Sequence, residues 1–400
     1  LRNPVFVKWH FSLLTSQFSL NPLSQKNSPA AKAAGSEPKF VFGAGLLFPV
    51  LFLVGIGIVM VYSASCALAV KKFGTGYYFL KKQFFAAMLG MAVMAICRYF
   101  PVRLLSAMVY PIFLLAVFFL ILLQFPGGGY CVGGAVRWIR IGSISFQPSE
   151  FARFALILYL AYSMSKKQER LKDFYIGFLP HLLVLGLFAV LIFLQPDFGS
   201  VVILGMITWI MMFIGGVRIA HLCLSLTVMI PIAAVFLFSA DYRFQRLISF
   251  LDPWQHSATG GYQAIHSVMA VGTGGIFGLG IGKGYQKLFY LPEPHTDFIF
   301  SVIGEELGLV GILLILSLYV LILYKGIRIA MNAPDMFTSF LASGLTAAIA
   351  LQVCINMGVA LALLPTKGLT LPFLSYGGTS LLLNMASVGI LMNIGSRGQG

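Results

Sequence analysis

The chain has 400 residues, 59% of them hydrophobic and 10% charged, with a mean hydropathy of +0.91 and a formal net charge of +15. A water-facing surface needs roughly 25% charged residues, so a soluble globular protein is excluded and lipid is the surface partner the composition demands. The 27 basic residues sit in short clusters between apolar runs and build no single basic face. That excludes a nucleic-acid partner and leaves membrane orientation, anionic lipid or an anionic substrate as their use.

Residues 1–40 read as a disordered tail, rich in Ser, Pro, Lys and Ala over 24–39. They hold no apolar core of about 7–15 residues and no cleavage site of the kind a signal peptide carries. Ten apolar runs follow, at 41–63, 77–97, 104–124, 151–164, 176–194, 199–216, 219–239, 298–324, 337–364 and 378–394. A membrane crossing needs roughly 20 such residues as a helix. The short run 151–164 must borrow 147–150, where Pro148 suits a first helical turn because its missing N–H is unused there. Backbone amides in lipid must bond within their own segment. The runs therefore predict an all-α integral membrane domain of ten transmembrane helices over 41–395, followed by a short tail at 396–400.

Ten crossings put both termini on one side. Charge does not choose which: with the tail inside, 15 Lys and Arg lie inside and 12 outside, and without the tail the balance reverses to 10 against 12. The longest non-spanning segment is 240–297, between the seventh and eighth runs. It carries Trp254, three of the six histidines and a glycine-rich stretch at 272–284. Its apolar part, 267–281, is too interrupted for a span and predicts a re-entrant or interfacial segment. The five cysteines, Cys66, Cys97, Cys131, Cys223 and Cys354, are odd in number and contain no CxxC. Cys66 and Cys131 either pair on the outer face or are ordinary thiols at apolar boundaries.

Ionisable groups within or at the edges of spans are costly and mark function; here they are Glu150, Arg153, Asp197, Asp297, Glu305 and Glu306. Asp297 opens the eighth run in HTDFIFSVIGEELG. A continuous helix places Glu305 within about 80° of the same face and roughly 12 Å deeper. Helix capping by Thr296 or Asp297 accounts for one carboxylate and leaves Glu305 and Glu306 unexplained. In PGGGYCVGGAVRWIRIGSISFQPSE, at 126–150, Arg137 and Arg140 flank Trp138. Arginine forks match phosphate oxygens; a Trp–Arg interface anchor is the alternative. The GLGIGKG stretch fails as a P-loop, with Phe277 where the first glycine belongs and Gly284 where Ser or Thr would hold a metal. His256, His266 and His295 lack ligand spacing and read as loop or boundary residues. In QPDFGS, Asp197 either caps the sixth run or serves the site.

Together the stretches VMVYSAS (59–65), GAVRWIRIGSISFQPSEFAR (134–153), LQPDFGS (194–200), RFQRLISFLDPW (243–254), GYQ (261–263), QKLFYLPEPHTDFIFSVIGEELG (286–308) and LPTKGLTLPFLSYGGTSLL (364–382) resemble the shape, elongation, division and sporulation family of membrane peptidoglycan glycosyltransferases. They run in family order over nearly the whole chain past the tail, and LPTKGLTLP and QKLFYLPE resemble its division branch more than its elongation branch. The resemblance implies ten helices with both termini cytoplasmic, which puts 240–297 outside the cell. It also implies that the protein joins lipid-linked disaccharide-pentapeptide units (lipid II) into glycan strands and releases undecaprenyl pyrophosphate.

The family's essential carboxylate is the Asp of HTDF, so Asp297 is the expected catalytic residue. The expected substrate-binding residues are Arg137, Trp138, Arg140, Gln147, Ser149, Glu150, Gln263, Lys283, Glu305, Lys367 and Ser375. A divalent cation, Mg or Mn, is an expected cofactor. Expected partners are a class B penicillin-binding protein transpeptidase, other divisome proteins and membrane lipid, and the expected place is the bacterial cytoplasmic membrane at the septum. The chain departs from the family at Val136, where a second basic residue is usual, at His266, often Gln, and at Arg153, often Lys.

The residues are chemically compatible with this. Glycosyl transfer needs a base for the acceptor hydroxyl and positive charge for the departing diphosphate. A carboxylate at the dry edge of a span has a raised pKa, and Arg137, Arg140, Lys283 and Lys367 are the available cations. The competing readings are a lipid II flippase and a non-catalytic divisome scaffold. A transporter places its polar groups at mid-membrane, often between inverted repeats, whereas the charges here gather toward one boundary.

Overall fold

Each apolar run becomes helix, because helix is how a chain in lipid bonds its own amides. The computed structural model describes residues 41–397 apart from Pro126, 133–134, Ser143, 239–240, 258–259 and Phe289; the expected tails at 1–40 and 398–400 lie outside the described residues. The first two helices are α1 (Val41–Phe73) and α2 (Tyr78–Tyr99). The third run splits into α3 (Val102–Ala107) and α4 (Val109–Leu122). Pro111 explains the split: its ring occupies the place of a helical N–H and crowds the carbonyl four residues back, at Ala107. After a small sheet come α5 (Pro148–Lys166), α6 (Leu179–Phe193), α7 (Phe198–Ile214) and α8 (Ile219–Phe238). The segment 240–297 carries α9 (Asp241–Leu251) and α10 (Tyr262–Thr273). The chain then closes with α11 (Ile299–Met331), α12 (Met336–Ala360) and α13 (Gly378–Arg397).

Among the described residues, six helices are long and apolar enough to cross a membrane: α1, α2, α6 with the turn before it, α11, α12 and α13. The helices α4, α7 and the first part of α8 are apolar but shorter. Phe48, Phe52, Phe84, Leu114, Leu183 and Leu313 stand exposed on these helices, as they must if lipid is the solvent. This is a multi-pass membrane protein. The helices α5, α12 and α13 are buried on most of their faces. Close approach of α13 to α2 depends on Gly389, where a Cβ would come within 2.4 Å of the Met94 carbonyl oxygen, as small residues permit between membrane helices.

An all-α fold needs one correction. Residues 130–146 form a three-stranded antiparallel sheet, β1 (Tyr130–Val132), β2 (Ala135–Ile141) and β3 (Ile144–Phe146), in the order β1-β2-β3. Trp138 pairs with Tyr130 on one side, and Arg140 with Ser145 on the other. Alternating Val, Trp and Ile positions suit such a ladder, but in a chain of helical runs the seven-residue β2 is too short to stand out.

The second departure is inside α11. Gly308, at φ 66° and ψ −163°, breaks it, a backbone conformation essentially reserved for glycine. The segment after α10 enters this break. Leu279 and Gly280 donate to the carbonyls of Glu305 and Glu306, and Leu309 and Val310 donate to those of Gly275 and Ile276. Chain and helix thus satisfy each other's freed amides. The Ser267 hydroxyl, fully buried on α10, contacts the Ser301 hydroxyl at 2.6 Å and donates to the Ala360 carbonyl.

Candidate active site

Asp297 stands just before α11, half-buried. Its amide donates to the Glu293 carbonyl at 3.3 Å, and contacts from neighbouring segments hold it and the residues beside it. The Asn356 side chain on α12 donates to the Asp297 carbonyl (3.0 Å) and to the Leu369 carbonyl (2.5 Å), so one amide ties the start of α11 to the segment between α12 and α13. The Tyr376 amide donates to the His295 carbonyl. The His295 ring lies between Phe79 and Tyr376, at centroid distances of 4.5 and 5.5 Å. Burial first, then the positive charge of Lys72, lowers His295 to about 4, which keeps it neutral at pH 7.

Burial also sets the Asp297 carboxyl. It is pushed up to about 6, mainly by desolvation and further by the negative charge of Glu293, while the Thr296 hydroxyl works the other way. Gly368 faces it: a Cβ there would lie 2.9 Å from Asp297 Oδ2. Only glycine lets this segment pack so closely on the carboxylate.

The next residue back, Lys367, reaches the other way. Its side chain lies on Gly199 in the first turn of α7. The ammonium is buried, with no hydrogen-bond partner among the described residues. Burial brings it down to about 8, against the pull of Asp197 and Glu150 and with some help from Arg153 and Arg137. Glu150 and Arg153, in the first turns of α5, are buried and ion-paired at 2.5 Å. Asp197 caps α7 through the Ser200 amide and hydroxyl, and it lies close enough to Lys367 to act on it. Arg137 donates to the carbonyls of Gln195 and Pro196, holding the break before α7 against the sheet. The structure therefore gathers Arg137, Glu150, Arg153, Asp197 and Lys367 into one charged cluster, while the next residue, Gly368, packs on Asp297.

Other expected site residues fall elsewhere. Strand alternation puts Arg137 and Arg140 on opposite faces of β2; Arg140 is exposed, near Gly142 and over the Tyr130 ring. Trp138 is half-buried on the Arg140 face. The Gln147 amide donates to the Thr379 hydroxyl, which donates to the Ser145 carbonyl and seats the end of the sheet on α13. Ser149 is buried in the first turn of α5. Gln263 is half-buried on α10, and Lys283 is exposed on the glycine-rich segment. The Ser375 hydroxyl accepts from the Leu371 amide inside its own turn. Glu305 is 1% exposed, with Oε1 accepting from the amides of Tyr285 and Gln286. The pairing open to Cys66 leads to no bond: its thiol is free, and the Cys131 side chain lies outside the described residues.

Sequence reading passed over the neutral polar groups. Gln352 on α12 donates to Thr370 and Ser380, and Asn384 on α13 donates to Gln352 and Ser380. These contacts pin the segment bearing Lys367 and Gly368 between two helices. Gln352 and Asn356, one turn apart in an apolar helix, were the available signal, since an amide in lipid needs a partner.

Residues 44–399 match the family model for cell cycle proteins of the FtsW, RodA and SpoVE group. A Geobacter sp. (strain M18) protein named probable peptidoglycan glycosyltransferase FtsW is 43% identical over 89% of this chain and 97% of its own length. Stage V sporulation protein E of Bacillus subtilis (strain 168) is 42% identical over 87% of this chain and 95% of its own length. Two solved structures share the fold at low identity. A chain from a peptidoglycan synthase complex in which polymerization and crosslinking are coordinated superposes with TM-score 0.73 at 28% identity, over 89% of this chain and 98% of that one. The Thermus thermophilus rod shape determining protein RodA does so with TM-score 0.65 at 27% identity, over 89% and 97%. The chain therefore belongs to the cell cycle protein family of FtsW, RodA and SpoVE, the family its motifs resemble.

Proposed function

We propose that this protein is a peptidoglycan glycosyltransferase that polymerises lipid II into glycan strands during cell division, with Asp297 as general base. The observation that carries this is a half-buried carboxylate, raised to about 6 and packed against Gly368, in the same segment whose next residue back, Lys367, carries a buried ammonium. Ionised Asp297 takes the proton of the acceptor sugar hydroxyl. The acceptor oxygen bonds to the donor anomeric carbon, the bond from that carbon to the diphosphate breaks, and undecaprenyl pyrophosphate leaves with the electron pair. Lys367 stabilises the growing negative charge, and a buried cation acts more strongly than one in water. Asp197 and Glu150 attract that ammonium, while Arg153 and Arg137 repel it. Among the described residues no three His, Cys, Asp or Glu side chains gather as a metal site. A Mg or Mn ion would therefore take most of its ligands from the diphosphate of the substrate and from water.

The remaining placements belong to the same reading. Six long apolar helices, three shorter ones and α5 supply ten crossings, with both termini in the cytoplasm and 240–297 outside. Lipid II then meets Asp297 from the outer leaflet. Likeness to a chain of a peptidoglycan synthase complex supports a class B penicillin-binding protein as partner, and the division-type relatives support the septum of the cytoplasmic membrane as the place of work. Purified protein given lipid II, with and without the transpeptidase, tests the activity by electrophoresis of the products. Wild type is expected to make glycan strands and Asp297→Ala none. Strands from the alanine variant would remove the assigned base, and lipid II crossing liposomes without polymer would point to transport.

A further inference from the structure

We propose that Lys287, Glu306 and Ser63 form a latch that positions Asp297 for glycosyl transfer; this rests on the reading of Asp297 as the base. The three come from different parts of the chain. Glu306 on α11 is fully buried and pairs with Lys287 at 2.5 Å. The Ser63 hydroxyl on α1 lies 2.7 and 2.8 Å from the two carboxylate oxygens and accepts from Lys287 Nζ at 2.8 Å. The Gly282 amide donates to the same carboxylate at 3.0 Å. Beside it, Glu305 takes the amides of Tyr285 and Gln286.

A buried ion pair adds little stability over apolar side chains of the same volume, and its best-attested use is fixing register. The register fixed here is that of Asp297. The chain leaves the latch at Lys287, runs through the strap 288–297 as far as Asp297 and returns down α11 to Glu306. The ion pair thus closes a ring with Asp297 near its midpoint. The return limb is short and stiff: residues 299–307 are helical, and Gly308 then breaks α11. This rod carries Asp297 at one end and the latch at the other, about 13 Å apart at 1.5 Å per residue. A change at the latch swings the far end, and misplacing a reacting group by about 1 Å costs on the order of a hundredfold in rate.

The test uses the full chain with its transpeptidase partner and lipid II. Three variants are compared with wild type: Ser63→Ala, Lys287→Met and the apolar pair Lys287→Met/Glu306→Leu, which leaves no buried charge unpaired. Two readouts are taken: kcat and KM as a function of pH, and hydrogen exchange of the strap 288–297. Among the described residues, Glu293 is the only charged group that acts on the Asp297 carboxyl, so a moved acid limb reports changed burial and not a deleted charge. The expected result is a fall in kcat of about tenfold or more with KM little changed. The acid limb should move from about 6 toward the ordinary carboxylate range, and the strap should exchange faster in all three variants. A folded double variant with wild-type kcat, acid limb and strap exchange would overturn the latch. Activity in Asp297→Asn would instead sink the base assignment, while the strap exchange would still report on the latch.

Discussion

Asp297 must lose a proton to act, and Lys367 must keep one. The kcat/KM profile of the free enzyme should therefore be bell-shaped, with limbs near 6 and 8. With those limbs, about 80% of the enzyme is in the right state at pH 7, and about 9% at pH 5 or pH 9. The rate constant should fall roughly ninefold on each side. Unperturbed groups at 3.8 and 10.5 would cost less than about 10% anywhere between pH 5 and pH 9. The assay is the initial rate of lipid II polymerisation at subsaturating substrate and constant ionic strength, with the transpeptidase present. Lys367→Arg separates the limbs, because a guanidinium stays charged throughout; it should keep the acid limb and lose the basic one. A wild-type profile flat from pH 5 to pH 9 would refute the reasoning for both residues.

Three further outcomes follow from the geometry. At Gly274 a Cβ would meet the Gly304 carbonyl oxygen at 1.9 Å, whereas at Gly272 it would meet nothing within 4 Å; Gly274→Ala should cost about 1–3 kcal/mol or more and Gly272→Ala should gain a few tenths, read as thermal unfolding in detergent. Asn356→Leu removes the amide that bridges Asp297 and Leu369 and leaves two carbonyls short of a donor, so kcat should fall by about tenfold or more with KM little changed, in a steady-state assay with lipid II. The Asp297 carboxyl titrates at about 6 when folded against 3.8 ordinarily, so its ionisation leaves stability intact below 3.8 and lowers it as pH rises through 6. Asp297→Asn should then melt higher than wild type at pH 8 and equally at pH 3.5, by thermal melts in detergent.

The membrane class, the helical runs and the family were legible because each rests on many residues: long apolar stretches, few charges and motifs spread over most of the chain. Asp297 stood out for the opposite reason, as a lone acid at the mouth of an apolar run. What stayed hidden depended on residues far apart in sequence. Ser63 and Lys287 become partners of Glu306 only when α1, the glycine-rich segment and α11 meet, and nothing near Ser63 announces it. Arg137 and Arg140 look like a pair in sequence because they flank Trp138; strand geometry sends them to opposite faces, and the strand is too short to stand out among helical runs. Lys367 drew notice as a cation, but its buried ammonium follows from Gly199, which offers no side chain to keep it out. Attention to charge also hid Gln352, Asn356 and Asn384, whose amides hold the Lys367 segment in place.

Turnover by Asp297→Asn is the most direct measurement. That change keeps the size and shape of the side chain and removes its charge and its ability to take a proton. If Asp297 is the base, lipid II should still bind with KM within about threefold of wild type while kcat falls by about a hundredfold or more. An asparagine variant that polymerises lipid II at the wild-type rate would contradict the mechanism.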